Sequence, residues 1–165
     1  MTEPAVEALA LARSELTPRL NASNPLSPTR LPMHQHQYGG GAGGPIVPNR
    51  TFYFGNFEQR RLDQSGLVTI APGTVPVINA RLDATGYAGP RVTTGAYDNP
   101  IDSTNLLAKV THSVSARDQL AVRYSLYMVQ SENARGAGAL TAPSASSSLD
   151  DRDEAVAVSN TVTLG

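Results

Sequence analysis

Three short stretches carry the residue types that could do chemistry. His34-Gln35-His36 puts two imidazoles on one side of an extended chain, which is the beginning of a metal site. No cysteine or nearby carboxylate completes the ligand set, and an ordinary polar segment is the favoured reading. Asp150-Asp151-Arg152-Asp153-Glu154 offers the hard oxygen ligands that Ca²⁺ takes. Arg152 interrupts the run and no EF-hand spacing is present, so a solvated loop end is the competing reading. "GGGAGGP" (Gly39 to Pro45) resembles a phosphate-cradling loop but lacks the Gly-Lys-Ser/Thr ending. A strand with little side-chain bulk, open to close approach by neighbouring backbone, fits it better. No Ser-His-Asp order and no nucleophile elbow stands out. The sequence therefore assigns no catalytic residue, no cofactor-binding residue and no metal ligand, and an enzyme is not expected.

The elements that would have to position such groups are unusual for a water-soluble domain. Hydrophobic residues make up 40% and aromatics 5% of the 165 residues, with no Trp, so a close-packed core would be thin. Cysteine is absent, which excludes a disulfide staple and a thiolate metal site. A net charge of -1 leaves no electrostatic footprint for nucleic acid. No apolar run approaches the roughly 18 residues of a spanning helix. The start, "MTEPAVEALALARSEL", is acidic first with no basic region, so it does not read as a signal peptide.

Residues 2 to about 17 carry the only helical signal, with Thr2 to cap, Pro4 in the first turn and a weak stripe of Val6, Leu9, Ala10 and Leu16. Four prolines between Thr17 and Gln37 predict an irregular, extended segment. A glycine-weakened strand over 39–46, a turn at Val47 to Arg50 and a strand over Thr51 to Gln59 follow. From about Arg61 to Ser103 no period is sustained, and the reading is one long loop.

The cleanest pattern is "NLLAKVTHSVSARDQLAVRYSLYMVQSE". Leu106, Ala108, Val110, His112 and Val114, then Leu120, Val122, Tyr124, Leu126 and Met128, form one nearly apolar face. Lys109, Thr111, Ser113, Arg123 and Ser125 lie on the other. This is period 2 over two strands broken at Ser115 to Asp118. Even residues must pair with even ones; a five-residue connection would set Val114 opposite Leu120 and Val110 opposite Tyr124, and a three-residue connection is also allowed. A second irregular stretch runs from about Asn133 to Asp153. The final strand alternates Val156, Val158, Val162 and Leu164 with smaller polar residues, and its missing partner implies that the natural sequence continues.

Short turns alternate with long connections, and the strands run about nine to eleven residues, enough to cross a bilayer when tilted. That is the plan of an outer-membrane barrel. Lys109 and Arg123 both fall on the polar face; on the lipid face near the midplane each would cost roughly 2–4 kcal/mol. His112 is the exception, placed near the turn and hence near the interface. Tyr124 and Tyr127 are candidates for an aromatic girdle. Alternation equally fits a soluble meander packed on a second sheet.

"QYGGGAGGPIVPNRTFYFGNFEQRR" (Gln37 to Arg61) resembles a recurrent segment of TonB-dependent outer-membrane receptors of the Oar-like group: a glycine strand ending Gly43-Gly44-Pro45-Ile46, a short turn, then an aromatic strand ending near Glu58. "ARDQLAVRYSLY" (Ala116 to Tyr127) and "LNASNP" (Leu20 to Pro25) resemble segments of the same group. The resemblance spans about 20–165 and leaves 1–19 unmatched, helical or disordered. It implies an all-β, antiparallel up-and-down meander: a partial transmembrane β-barrel of about five strands, truncated at the C-terminus, with long irregular loops. It further implies a place in the outer membrane and uptake of a scarce extracellular substrate. The partners it implies are outer-membrane lipid, the chain's own plug and remaining strands, which are not in this sequence, and the TonB–ExbB–ExbD complex acting through the plug. The alternative is a soluble secreted adhesin or glycan-binding module. The lipid-facing side of residues 51–59 stays open at this level.

Overall fold

The computed structural model describes residues 7–8, 14–16, 25–27 and 29–164. The chain forms one antiparallel sheet. Its elements are β1 (Glu7–Ala8), β2 (Ser14–Leu16), β3 (Met33–Val47), β4 (Thr51–Val68), α1 (Thr74–Ala84), β5 (Gly95–Asp98), β6 (Ile101–Ser115), β7 (Asp118–Arg135) and β8 (Ser147–Val162). The hydrogen-bonded order is β1-β3-β4-β6-β7-β8, with β2 also on β3 and β5 on the end of β4. Five strands, β3, β4, β6, β7 and β8, are 15 to 18 residues long and make an up-and-down meander.

Two tight turns close one end. Arg50 N–H donates to Val47 C=O at 3.0 Å, and Asn49 takes φ 59°, the left-handed region that asparagine tolerates. The second hairpin closes through Ala116-Arg117, with a register shift between Ser113 and Ser115. The ladder takes the register of the shorter of the two allowed connections. His112 faces Leu120 and Val110 faces Val122. Even still meets even, because the extra residue, Val114, is taken up outside the ladder.

The strands run well past their expected ends. β3 begins at Met33, inside the proline-rich stretch, and β4 continues to Val68. β8 begins at Ser147, so the acidic run lies in a strand and not at a loop end. Charged residues disfavour a strand by propensity alone; here the ladder with β7 holds them from Leu149 to Val162.

The helical expectation for 2–17 lies mostly outside the described residues, and its described parts are strands paired with β3. The described helix instead interrupts the expected long loop. Thr74–Ala84 holds no buried residue and no apolar stripe, so periodicity could not reveal it. Pro76 sits in the first turn, where its missing N–H costs nothing. Asn79 pins the return of the chain, donating to Val92 C=O at 3.0 Å and accepting from Val92 N–H at 2.9 Å.

Candidate functional site: the two faces of the sheet

Side-chain parity and ladder register sort the residues into two faces. On one face, cross-strand rows read Tyr53–Val110–Val122–Val158, then Gly55–Ala108–Tyr124–Val156, then Phe57–Leu106–Leu126–Glu154. Below them sits Thr51–His112–Leu120, beside the tight turns. Above them sit Gln59–Thr104–Met128–Arg152 and Arg61–Asp102–Gln130–Asp150. The aromatic strand is thereby oriented. Tyr53 and Phe57 join the valine face, while Phe52 and Phe54 stand with Asn56 and Glu58 on the other.

This apolar face has no second layer among the described residues. Val110, Val122, Val156 and Val158 are 43%, 41%, 70% and 66% exposed. Among the described residues the buried hydrophobic ones are Leu62, Val68 and Ala142, outside these rows. A soluble meander would cover such a patch. From Thr51 to Gln59 the strand climbs about 27 Å, or about 21 Å along a membrane normal at a typical tilt, close to the ~25 Å apolar band of a barrel.

The rim groups fit that depth. His112 Nδ1 lies 2.8 Å from Thr51 Oγ1 at the turn end of the belt. Glu154, at its upper edge, is paired with Arg152, whose Nε donates to Glu154 Oε1 at 2.9 Å, and it also accepts from Tyr124 O–H at 3.3 Å. Tyr38 and Phe57 meet as a tilted aromatic pair, centroids 6.5 Å apart. Tyr124 faces the belt, but Tyr127 lies on the opposite face and is not part of a lipid girdle.

The other face is mixed: Phe52, Phe54 and Leu107 share it with charged and polar groups. Lys109 stands directly opposite Arg123, and neither has an ion-pair partner among the described residues. Asn105, Ser125, Tyr127 and Asp153 line a recess of about 410 Å³ higher on this side. Gln37 donates to Glu58 at 3.0 Å across β3 and β4.

The long connections meet at the end away from the turns. Thr69 N–H donates to Ala139 C=O at 2.7 Å, and Ala139 N–H donates to Leu67 C=O at 3.0 Å. Asn133 donates to Asp98 C=O at 2.8 Å, and Ser131 Oγ lies 3.3 Å from Asn99 Oδ1. The loops are thus held to each other rather than splayed.

The sequence-level site candidates disperse. His34 faces Asp63 and His36 faces Arg61 across the ladder; among the described residues no three His, Asp or Glu side chains converge. Alternation along β8 sends Asp150 and Glu154 to one face and Asp151 and Asp153 to the other, so the acidic run does not act as one chelator. The glycine run is a strand interior. A methyl group on Gly39 would come 2.4 Å from Phe57 O and 2.9 Å from Glu58 Cα.

The charged row Arg61–Asp102–Asp150 was not singled out from the sequence, because its members are far apart along the chain. No described helix is long and apolar enough to cross a membrane, which does not bear on strands. No curated protein and no solved structure matches the chain. A family model described as "Outer membrane beta barrel domain" matches residues 17–102, just over half of the 165. An apolar belt without a covering layer among the described residues, an opposite face that carries Lys109 and Arg123, and this match agree: the chain belongs to the outer membrane beta barrel domain family and resides in the outer membrane.

Proposed function

We propose that this sheet is the early barrel wall of a TonB-dependent, Oar-like receptor that takes up a scarce substrate. The observation that carries the reading is the hairpin of β3 and β4. A glycine strand packs closely against an aromatic strand through a tight turn at Pro48 to Arg50, in the order seen in that group. The polar face with Lys109 and Arg123 supports it, since a barrel large enough to hold a plug keeps a wet, charged interior. In this reading the long connections contact the extracellular substrate. A plug domain would fill the lumen, and the TonB–ExbB–ExbD complex would supply the energy through that plug. The protein binds and translocates, and catalyses nothing.

The test is the full-length coding sequence around this chain. A plug-like domain upstream and further alternating strands downstream are expected, with the intact protein cross-linking to TonB in cells. A coding sequence that closes a small barrel with no plug, or an intact protein that never cross-links to TonB, would falsify the proposal.

A further inference from the structure

We infer that the lipid-facing side carries a binding site for a phosphorylated lipid headgroup, built from Arg61, Asp102, Asp150 and Arg152. These groups line an open recess of about 560 Å³, together with Thr104 and Gln130, on the same face as the apolar belt. The recess begins where the belt ends. Phe57, Leu106 and Leu126 form the row at the top of the belt, and the recess residues fill the two rows above.

Depth selects the ligand. Arg61 is about 34 Å along the strand from Thr51, or roughly 26 Å along the normal, one belt height above the turn rim. Long connections mark the outer side of such barrels, so the recess sits at headgroup level in the outer leaflet. Acyl chains can lie on Leu106 and Leu126 while the headgroup fills the recess above.

Charge selects phosphate. Arg61 stands opposite Asp102 in the ladder, yet no ion pair joins them. Among the described residues the Arg61 guanidinium has no ion-pair partner, which suits it to a bidentate oxyanion. Arg152, its side chain 64% exposed, donates to Glu154 alone among the described residues. The two arginines lie three strand spacings and one row of the same face apart, about 16 Å, a span suited to a headgroup with two separated phosphates. Asp102, on β6, lies between them, and Asp150 flanks Arg152 on β8. Carboxylates facing phosphates call for a bridging hard cation, and Mg²⁺ or Ca²⁺ is the chemical match. The site needs the barrel and its membrane, not the uptake cycle.

The experiment uses the full-length protein with its natural flanking sequence, purified in detergent. Native mass spectrometry follows retention of diphosphorylated lipid A with Mg²⁺ present, against monophosphorylated lipid A and inorganic phosphate. Retention of the diphosphorylated lipid should fall at least about tenfold in the Arg61→Ala, Arg152→Ala double variant, the loss expected from one or more charge-assisted contacts. It should be unchanged in Arg123→Ala, on the opposite face. Chelation of Mg²⁺ should weaken retention in the parent but not in an Asp102→Asn, Asp150→Asn variant. Unchanged retention in the arginine double variant overturns the site, as does displacement of the lipid by an equal concentration of inorganic phosphate.

Discussion

Lys109 and Arg123 show how the position of a charge decides its cost. Directly opposed like charges in a ladder are unfavourable by up to about 1 kcal/mol. The same two groups on the belt face would each cost roughly 2–4 kcal/mol at mid-depth. Keeping both on the wet face is therefore the cheaper arrangement even though they repel. A paired substitution measures the difference. Ala108 lies mid-belt between Gly55 and Tyr124, whereas Ala155 lies on the polar face two residues from Asp153. Ala108→Arg should lower stability of the full-length barrel in lipid by about 2–4 kcal/mol, and Ala155→Arg by less than about 1 kcal/mol. Urea unfolding in vesicles reads both, and equal losses would contradict the assignment of faces. His112 obeys the same rule: a polar ring is tolerated on the belt face because it sits at the rim with Thr51 as partner.

At the level of elements, the β3–β4 hairpin depends on glycine at particular points. A side chain at Gly39 must push against Phe57 carbonyl and Glu58 backbone, neither of which can rotate away. At Gly44 the nearest atom is Tyr53 Cε1 at 3.7 Å, an ordinary contact. Gly39→Val should cost about 1–3 kcal/mol through overpacking and strand separation, and Gly44→Ala should be nearly neutral. The folded fraction, read by heat-modifiable migration on gels, distinguishes them. Two register shifts, at Ile46 and at Val114, have a related purpose. Each absorbs one residue next to a turn, so that the alternation of the long strands keeps its face.

As a whole the described residues form a sheet with almost no core. Its apolar belt and its β8 edge both need partners, lipid for the first and another strand for the second. In water the 165-residue chain should aggregate. In detergent micelles it should retain β-type circular dichroism. A cooperative melt of a soluble monomer in plain buffer would argue for the adhesin-like alternative. The loops add stability of a different kind, since Leu67, Thr69 and Ala139 tie the two long connections by backbone hydrogen bonds that do not depend on lipid.

The two-residue alternation around Lys109 and Arg123 was readable without coordinates, because side-chain direction in a strand is fixed by the backbone alone. So were the turn at Asn49, through its tolerance of positive φ, and the thinness of any close-packed core, through composition. Other features resisted. The helix at Thr74–Ala84 buries nothing and so leaves no periodic trace. The true length of β8 was hidden by its charges, which a ladder partner tolerates and propensity does not. Phe52 and Phe54 alternate with Tyr53 and Phe57, so the aromatic strand is ambiguous by itself. Pairing with Lys109 and Val110 settled which of its sides meets the belt. The row joining Arg61, Asp102 and Asp150 exists only through register, which links residues some 40 to 90 positions apart and is set by hydrogen bonds between strands rather than by any local preference.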